Sequence, residues 1–443
     1  MADCVYLSGV AHSSYSPGTL IPHFARFSEA WNYVKPTVLI ATTCRWMPTA
    51  RLAMALAKAG FTVEAVCPSG HPISKTRAAR KLYNYRGLSP IASFSEAIDS
   101  AKPDILVSGD DLATWHLHNL HRREKLNGNS GRAICELIER SLGPQESFPV
   151  VYSRADFMEL AEQEGIRVPK TKRISNPSDL KNWISITGFP SVLKANGTSG
   201  GDGVRVVATR EEAENAFKTL QSPPLLARAA KRALLDRDTT LVWPSLLRHR
   251  SEVNAQAFVS GHEATSSFVC SKGVVLACLH FEVLGKVDSA GPATVLRRIA
   301  HPEMSAAVEI IAHKLNLSGI HGLDFMLDAQ TNQAYLIEIN PRATQVGHLT
   351  FGAGCDLPAA LFSSVTGDEL QPAPKVSDNN TIALFPREWL RAPQSKYLVT
   401  AYHDVPWEEP DLILACVGKR GQQSIGHLQE AWQQKSAAPA HRS

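Results

Sequence analysis

Apolar and polar positions near the start of the chain follow a pattern that predicts a parallel sheet. The apolar run at residues 37–42 is typical of a buried strand. Pro48 then opens a helix with one apolar face, which ends at Gly60. Alternation at 61–66 predicts a second strand, and 104–108 predicts a third. A strand, a helix and a strand within about thirty residues indicate a βαβ unit, which requires parallel pairing.

The pattern changes after Pro169, where strands follow one another without intervening helices. Glycine turns there predict two strand pairs, 191–195 with 203–208 and 252–259 with 264–271. Ser153, with Asp156 three residues later, caps a helix just before this region. Further elements are predicted downstream, namely a helix at 303–316 and strands at 320–328 and 334–339. The chain therefore combines an α/β part with an α+β part, and we place the boundary near residue 150.

Composition narrows the class of protein. The chain has 443 residues, and 46 Lys and Arg against 42 Asp and Glu leave a formal net charge of +4. So small an excess argues against a nucleic-acid or membrane partner. No apolar run approaches the 18 residues of a membrane span, and the N-terminus lacks the layout of a signal peptide. Eight scattered cysteines without a CxxC pair favour reduced thiols and a cytoplasmic enzyme.

A glycine-rich loop follows the strand that ends near Lys194. Its glycines include Gly200, Gly201 and Gly203, whose backbone can approach a ligand closely and offer N–H groups to phosphate oxygens. Lys194 precedes the loop and a strand follows it, which excludes a Walker-type loop, where the Lys comes last and a helix follows. A flexible hairpin carrying a surface lysine is the alternative at this point.

A second motif places oxygen donors on two strands. Asp324 and Glu338 lie on strands joined by a short turn, and Asn340 shares the face of Glu338 because it is two residues away. Carboxylate and amide oxygens are the ligands that Mg²⁺ prefers. Apolar neighbours predict a buried strand around Glu338, where an unpaired carboxylate would be unfavourable. Arg342, just past the strand, could bind a phosphate or a carboxylate.

Taken together, Lys-x-x-Gly-x-x-Gly-Gly-x-Gly, a later Asp, and Glu-x-Asn-Pro-Arg resemble the ATP-grasp superfamily over roughly residues 150–360. The resemblance implies two α+β subdomains that clamp ATP, preceded by a Rossmann-like domain with a parallel sheet. On this basis we expect an irregular segment at 1–36 and a pre-ATP-grasp domain at 37–150. An ATP-grasp domain at 151–370, with a lid at about 190–250, and a C-terminal segment at 371–443, with a mobile tail from about 418, would follow.

The resemblance also implies roles for individual residues. Arg154 and Lys194 match basic phosphate-binding positions, and Arg342 matches the arginine near the reacting acid. Asp324, Glu338 and Asn340 match the set that binds two Mg²⁺ ions, or Mn²⁺ in their place. The stretch 241–246 matches the adenine hinge, with Trp243 and Ser245 as its contacts. Glu252 and Asn254 fall where ribose or phosphate contacts are expected, although a solvated strand residue explains Glu252 equally well.

Other positions concern the second substrate. Lys286 and Arg297 match a stretch that family members use near the acceptor, with surface solubility as the alternative for both. Gly347 stands where a carboxylase would have a glutamate, and His348 is either a base or structural. Asp110 and Asp111 follow a strand at the expected ligand-binding edge of the sheet, where helix capping is the favoured role. The aromatic stretch at 385–389 could close over a substrate, although core packing is the favoured role.

The implied activity is that of an ATP-dependent ligase, which forms an acyl phosphate from a carboxylate and joins it to an amine with release of ADP and phosphate. A carbamoyl-phosphate-synthetase-like or carboxylase activity on bicarbonate is the nearer alternative, and a non-catalytic ATP-binding regulatory protein is the other. The expected partners are small-molecule carboxylate and amine substrates, with a homodimer as a family-level expectation.

Overall fold

The structure, a computed structural model, describes residues 35–196, 203–222, 251–288 and 291–417. These residues belong to one contact unit, Lys35–Ser443. Several sequence predictions lie outside the described residues: those for residues 1–34, Gly200, Gly201, Trp243, Ser245 and the tail from 418.

Four parallel strands form the first sheet, as the sequence predicts. They are β1 (Thr37–Ala41), β2 (Thr62–Cys67), β3 (Ala79–Asn84) and β4 (Ile105–Ser108), in the order β3–β2–β1–β4. The helices of this part are α1 (Met47–Ala59), α2 (Pro90–Ala101), α3 (Asp111–Leu126) and α4 (Arg132–Leu142). One face of the sheet packs on α2, α3 and α4, and the other packs on α1.

Local sequence explains where these helices begin and end. Helix α1 has a proline in its first turn and ends at Gly60, whose φ of 118° is left-handed and whose N–H donates to Ala57. Asp110 caps α3, because its Oδ1 accepts the N–H of Ala113 at 2.9 Å. The capping role expected for Asp110 is therefore confirmed.

A small antiparallel sheet follows two short helices, α5 (Phe148–Tyr152) and α6 (Arg154–Gln163). Ser153 caps α6 as predicted, by accepting the N–H of Asp156 at 3.3 Å. The sheet consists of β5 (Thr171–Ile174), β6 (Ser191–Ala195), β7 (Val204–Val207) and β8 (Val253–Ala257), in the order β5–β8–β6–β7. Helices α7 (Pro177–Thr187) and α8 (Arg210–Gln221) cover one of its faces.

The large sheet has seven strands in the order β13–β12–β9–β10–β11–β14–β15. They are β9 (Gly261–Ser271), β10 (Val274–Lys286), β11 (Ala293–Arg298), β12 (Gly319–Asp328), β13 (Ala334–Asn340), β14 (Thr381–Ala383) and β15 (Tyr402–His403). Its helices are α9 (Pro302–Lys314), α10 (Leu357–Thr366), α11 (Arg387–Arg391) and α12 (Tyr397–Thr400). One core joins α6 and α9 to this sheet, and another joins α1 and α10 to it.

One predicted strand pair is wrong. The segments 252–259 and 264–271 do not form a hairpin, because β8 pairs with β5 and β6 whereas β9 pairs with β10 and β12. The glycine between them serves close packing, since a Cβ at Gly261 would lie 1.9 Å from the carbonyl oxygen of Leu327 on β12. The chain therefore passes from the small sheet to the large sheet at this glycine.

Two further findings concern the class of protein. In the part of the chain that the structure describes, no helix combines the length and the apolar character needed to cross a membrane. The seven cysteines in that part carry no disulfide.

Candidate functional site

The small antiparallel sheet and the large sheet provide facing walls of a cavity of about 850 Å³, here called the main cavity. Residues that follow β1 and β4 of the parallel sheet complete the wall, and so does Arg387 from α11. Of the predicted site residues, five line this cavity: Lys194, Asp324, Glu338, Asn340 and Arg342.

Asp324 and Glu338 occupy directly opposed positions of the antiparallel pair β12–β13, as the sequence predicts. Asp324 accepts hydrogen bonds from Thr265 Oγ1 at 2.8 Å and from Asn340 Nδ2 at 2.9 Å. Burial, and next the charge of Glu338, raise the pKa of Asp324 to about 6, which these hydrogen bonds only partly offset. The two carboxylates therefore repel each other at the cavity wall.

Glu338 is stabilised as an anion by two cations. Its Oε1 accepts a hydrogen bond from Arg154 Nη2 at 2.9 Å. Burial by itself would raise the pKa of Glu338, but Arg154 and Lys194 outweigh it and the pKa falls below its ordinary value. Arg154 also donates from Nη1 to the carbonyl oxygen of Ala195 at 2.5 Å, so helix α6 is tied to β6 at the cavity.

Lys194 lies on β6, and its side chain is buried in the cavity wall. Burial lowers the pKa of Lys194 to about 8, although Glu338 opposes the shift. A buried ammonium beside a cavity is well suited to an anionic ligand, because the ligand's charge would replace the missing solvation. The Lys194 position therefore fits a phosphate-binding role.

The acidic residues fit a divalent cation together with ligand oxygens. The described residues contain no group of three or more His, Cys, Asp and Glu side chains that could hold a metal ion. The predicted set has two carboxylates and the amide of Asn340, so water and phosphate oxygens would supply the remaining ligands. A cation would offset the repulsion that raises the pKa of Asp324. Asp324, Glu338 and Asn340 would thus hold Mg²⁺.

Arg342 follows β13 and is held from several sides. It donates from Nη2 to Asn340 Oδ1 and from Nε to Asp111 Oδ2, both at 3.1 Å. Its guanidinium also lies over the indole of Trp46, with Cζ 5.1 Å from the ring centroid. Asp111 and Trp46 come from the part of the chain that forms the parallel sheet, so that part contributes directly to the site.

Three predicted nucleotide contacts stand behind or beside the cavity wall. Asn254 is buried opposite Lys194 in the β6–β8 pair and donates to Asn196 Oδ1 at 2.9 Å. Glu252 accepts from Asn196 Nδ2 and pairs with Arg173, each at 2.9 Å. The carbonyl of Gly203 accepts the N–H of Ala195, which closes the β6–β7 hairpin. Their nucleotide-binding roles remain predictions.

The two residues expected near the acceptor are placed differently from one another. Lys286 pairs with Glu263 at 2.6 Å, and Glu263 lines the main cavity. Arg297 is 51% exposed, pairs with Glu282 across β10 and β11, and does not line the cavity. The structure thus brings Lys286 to the edge of the site and leaves Arg297 outside it.

Several residues at the site were not among the sequence predictions. Trp46, Gln345 and Arg387 line the main cavity together with a neighbouring small cavity of about 110 Å³. His348 lies in the small cavity, where its Nε2 is 2.7 Å from Asp404 Oδ2. Phe385 and Trp389 are buried core residues as expected, whereas Arg387 between them faces the cavities. No spacing in the sequence marks these long-range contacts.

Comparison with protein families supports an ATP-binding domain. The model described as "Carbamoyl-phosphate synthase L chain, ATP binding domain" matches residues 153–370. This range contains Arg154, Lys194, Asp324, Glu338 and Arg342.

Curated relatives match parts of the chain at low identity. Acetyl-CoA carboxylase 2 of Oryza sativa subsp. japonica is 26% identical over 204 residues, which are 43% of this chain and 8% of that protein. The carbamoyl phosphate synthase large chain of Gemmatimonas aurantiaca is 23% identical over 219 residues, 48% of this chain and 18% of the relative. A phosphoribosylamine–glycine ligase of Ralstonia nicotianae is 26% identical over 139 residues, 31% of this chain and 28% of that ligase. The chain thus spans less than a third of each of these relatives.

Solved structures resemble a larger share of the chain. N5-carboxyaminoimidazole synthetase of Staphylococcus aureus, complexed with ADP, has a TM-score of 0.52 at 16% identity and covers 77% of this chain and 80% of its own. The biotin carboxylase domain of 2-oxoglutarate carboxylase from Hydrogenobacter thermophilus, in complex with MgADP, ADP and bicarbonate, has a TM-score of 0.51 at 15% identity, with coverages of 76% and 71%. At these identities the likeness concerns the fold.

Proposed function

This chain belongs to the ATP-grasp superfamily, and we propose that it is a ligase that activates a carboxylate with ATP and joins it to an amine. The observation that carries the proposal is the convergence of Lys194 with the carboxylates of Asp324 and Glu338 at one cavity, with Arg154 paired to Glu338. Phosphoryl transfer depends on positioning and on charge neutralisation, and this set offers both.

The residues divide into those that bind ATP and those that orient the acid. Lys194 and Arg154 would contact phosphate oxygens of ATP. Asp324, Glu338 and Asn340 would hold two Mg²⁺ ions, which supply further neutralisation of the phosphate charge. Arg342 would orient the substrate carboxylate, because its guanidinium is planar, charged and fixed by Asp111 and Asn340.

The proposed reaction has two steps. A carboxylate oxygen of the acid attacks the γ-phosphorus of ATP while the bond to the bridging oxygen breaks and ADP leaves. The amine nitrogen then attacks the acyl carbon, the C–N bond forms, the C–O bond to phosphate breaks, and the amine proton passes to phosphate or solvent. Between the two steps the acyl phosphate has to be kept from water, which would hydrolyse it.

Activation of bicarbonate is a second candidate. It is supported by relatives and neighbours that are named carboxylases or carbamoyl phosphate synthases, one of them in complex with bicarbonate. Gly347, where a glutamate is expected in a carboxylase, counts against it. We also propose small-molecule substrates and a cytoplasmic location, supported by the unpaired cysteines of the described residues.

Trapping the intermediate tests the proposal without knowledge of the acceptor. Purified protein is incubated with Mg·ATP, hydroxylamine and pooled small carboxylic acids and amino acids, and hydroxamates and ADP are measured by mass spectrometry. An acid-dependent hydroxamate with an equal amount of ADP is expected. Bicarbonate-dependent ADP release without hydroxamate would favour the second candidate, and ATP binding without any product would favour a regulatory protein.

Two variants connect the result to the site. We expect Lys194→Ala and Glu338→Ala to abolish hydroxamate formation, whereas the exposed residue Glu159 provides a control as Glu159→Ala. Normal turnover of either site variant would contradict the assignment.

A further inference from the structure

Arg387 is a half-buried cation at the site whose charge the described residues leave unmatched. Its only hydrogen bond to a described residue runs from Nη1 to Gln345 Oε1, which is a neutral acceptor. The other arginines of this region each have a carboxylate: Arg342 has Asp111, and Arg51 has Asp404. Burial and the nearby charge of Arg342 lower the pKa of Arg387 to about 10.

The surroundings of Arg387 are arranged for a ligand. Its Cζ lies 5.7 Å from the centroid of the Trp46 ring, over which Arg342 also lies. Trp46 therefore contacts both guanidinium groups, of which, among the described residues, only Arg342 has an acidic partner. A half-buried guanidinium without a counter-charge favours an anion that enters the main cavity at this end.

The small cavity beside Arg387 limits the size and the chemical character of the ligand. Met47, Pro48, Leu384 and Phe385 provide apolar walls, and Trp46, Gln345 and Arg387 are shared with the main cavity. Two polar side chains at this cavity share one carboxylate, since Asp404 binds both Arg51 at 2.5 Å and His348 at 2.7 Å. At about 110 Å³ the space suits a side chain of a few carbon atoms.

From this arrangement we infer that Arg387 binds the carboxylate of an α-amino acid that serves as the acceptor, with its side chain in the small cavity. The inference rests on the proposed ligase function and names the acceptor class. A carboxylate matches the single unmatched charge and the planar edge of a guanidinium, whereas a phosphate monoester fits the same edge but carries more than one negative charge at pH 7. The amino group of the acceptor would then be directed toward the acid held by Arg342.

Amino acids and their amides test the inference. With the acid identified by hydroxylamine trapping, ADP release is measured with each of the twenty amino acids and with the matching amino-acid amides, which lack the negative charge. We expect kcat/KM for the best amino acid to exceed that for its amide about 100-fold. Arg387→Gln should remove this preference, lowering kcat/KM for the amino acid about 100-fold and that for the amide less than threefold.

The same variant separates this inference from the proposed function. Hydroxylamine replaces the acceptor, so hydroxamate formation by Arg387→Gln should stay within twofold of the unmodified protein. Arg387→Lys keeps the charge without the planar fork and should recover part of the amino-acid preference. Arg132→Gln, at a side chain that is 76% exposed, is the control, and thermal unfolding verifies that each variant is folded.

Three results would overturn the inference without contradicting the proposed ligase function. One is a hydroxamate yield that falls with Arg387→Gln as far as coupling does, which would assign Arg387 to the acid. Another is that amino acids and amides serve equally well as acceptors, or that neither serves as an acceptor, while hydroxamate still forms. The third is competition by inorganic phosphate against the acceptor that disappears in Arg387→Gln, which would indicate a phosphate site. Absence of any hydroxamate would instead overturn the proposed function.

Discussion

Arg342 and Asp111 form an ion pair at 3.1 Å that connects the end of β13 in the large sheet to the first turn of α3 beside the parallel sheet. The two residues are 231 positions apart in sequence. The guanidinium proposed to orient the acid is thus fixed by a carboxylate from another part of the fold. The part of the chain that forms the parallel sheet therefore positions Arg342, with this ion pair as one of its contacts.

Neutralising Asp111 should weaken acid activation selectively. In Asp111→Asn the guanidinium of Arg342 keeps its hydrogen bond to Asn340 but loses its ionic partner. The orientation of the guanidinium therefore becomes less defined. We expect kcat/KM for the acid in the hydroxamate assay to fall roughly tenfold, with ATP affinity within twofold. Asp99→Asn, at an exposed position of α2, is the control. An equal loss in ATP affinity would mean that Asp111 supports the nucleotide instead.

The burial of Lys194 predicts that ATP binding weakens at alkaline pH. Burial lowers the pKa of Lys194 to about 8 in the free protein, and bound phosphate would raise it again. The charged form binds, so between these two pKa values ATP binding takes up protons and affinity falls as pH rises. We expect Kd for ATP to increase roughly tenfold from pH 7.5 to pH 9.

Calorimetry in two buffers of different ionisation enthalpy measures this proton uptake directly. At pH 9 we expect close to one proton per ATP. Lys194→Met is the matched variant, because it keeps a long side chain without a titratable group. Its ATP affinity should be weaker throughout and nearly independent of pH over this range. Unchanged proton uptake in Lys194→Met would show that another group titrates.

Glu338 should govern the dependence on Mg²⁺. Glu338→Gln removes one of the two opposed carboxylates and leaves Arg154 with a neutral partner. The repulsion between Asp324 and Glu338 then disappears, and so does one anionic ligand of the metal ion. We expect the Mg²⁺ concentration that gives half-maximal ADP release to rise at least tenfold, while ATP binding measured without Mg²⁺ stays within threefold. Glu159→Gln is the matched control on the surface of α6. An unchanged Mg²⁺ requirement would remove Glu338 from the predicted metal ligands.

Local patterns sufficed for the parts of this site that lie on one or two neighbouring elements. The opposition of Asp324 and Glu338 follows from strand alternation and a short turn, and the start of α6 follows from the cap at Ser153. Both depend on residues close together in the chain. The motif therefore predicts the carboxylate pair in its observed place.

Contacts between distant segments could not be predicted in the same way. Arg387 donates a hydrogen bond to Gln345, and the guanidinium groups of Arg342 and Arg387, which come from different parts of the chain, both lie over the Trp46 ring. The pairing of β8 with β5 and β6 likewise depends on which sheet each strand joins, and a glycine between two apolar runs is compatible with a hairpin or with a change of sheet. The β-strand propensity of the residues does not distinguish a hairpin from a change of sheet.

The buried group of Arg51, His348 and Asp404 should contribute strongly to stability. Asp404 accepts from Arg51 at 2.5 Å and pairs with His348 at 2.7 Å, which joins α1 to the segment after β15. Burial alone would raise the pKa of Asp404, but Arg51 and His348 lower it below its ordinary value. Asp404→Asn leaves the buried Arg51 with only the exposed Glu408, 3.8 Å away, as a counter-charge, and we expect the free energy of unfolding to fall by about 3 kcal/mol at pH 7.

The pH dependence distinguishes this charge effect from a packing defect. A carboxylate whose pKa is lowered by folding contributes stability above its unfolded pKa of about 3.9, and the contribution is lost as pH falls toward the folded value. The difference in unfolding free energy between the unmodified protein and Asp404→Asn, measured by urea denaturation, should therefore narrow below about pH 4. The double variant Arg51→Met with Asp404→Asn removes the stranded cation and should regain part of the loss at pH 7. Two outcomes would show that the pair contributes through packing. In one, the difference in unfolding free energy stays constant with pH. In the other, adding Arg51→Met to Asp404→Asn lowers the unfolding free energy by as much as Arg51→Met does alone.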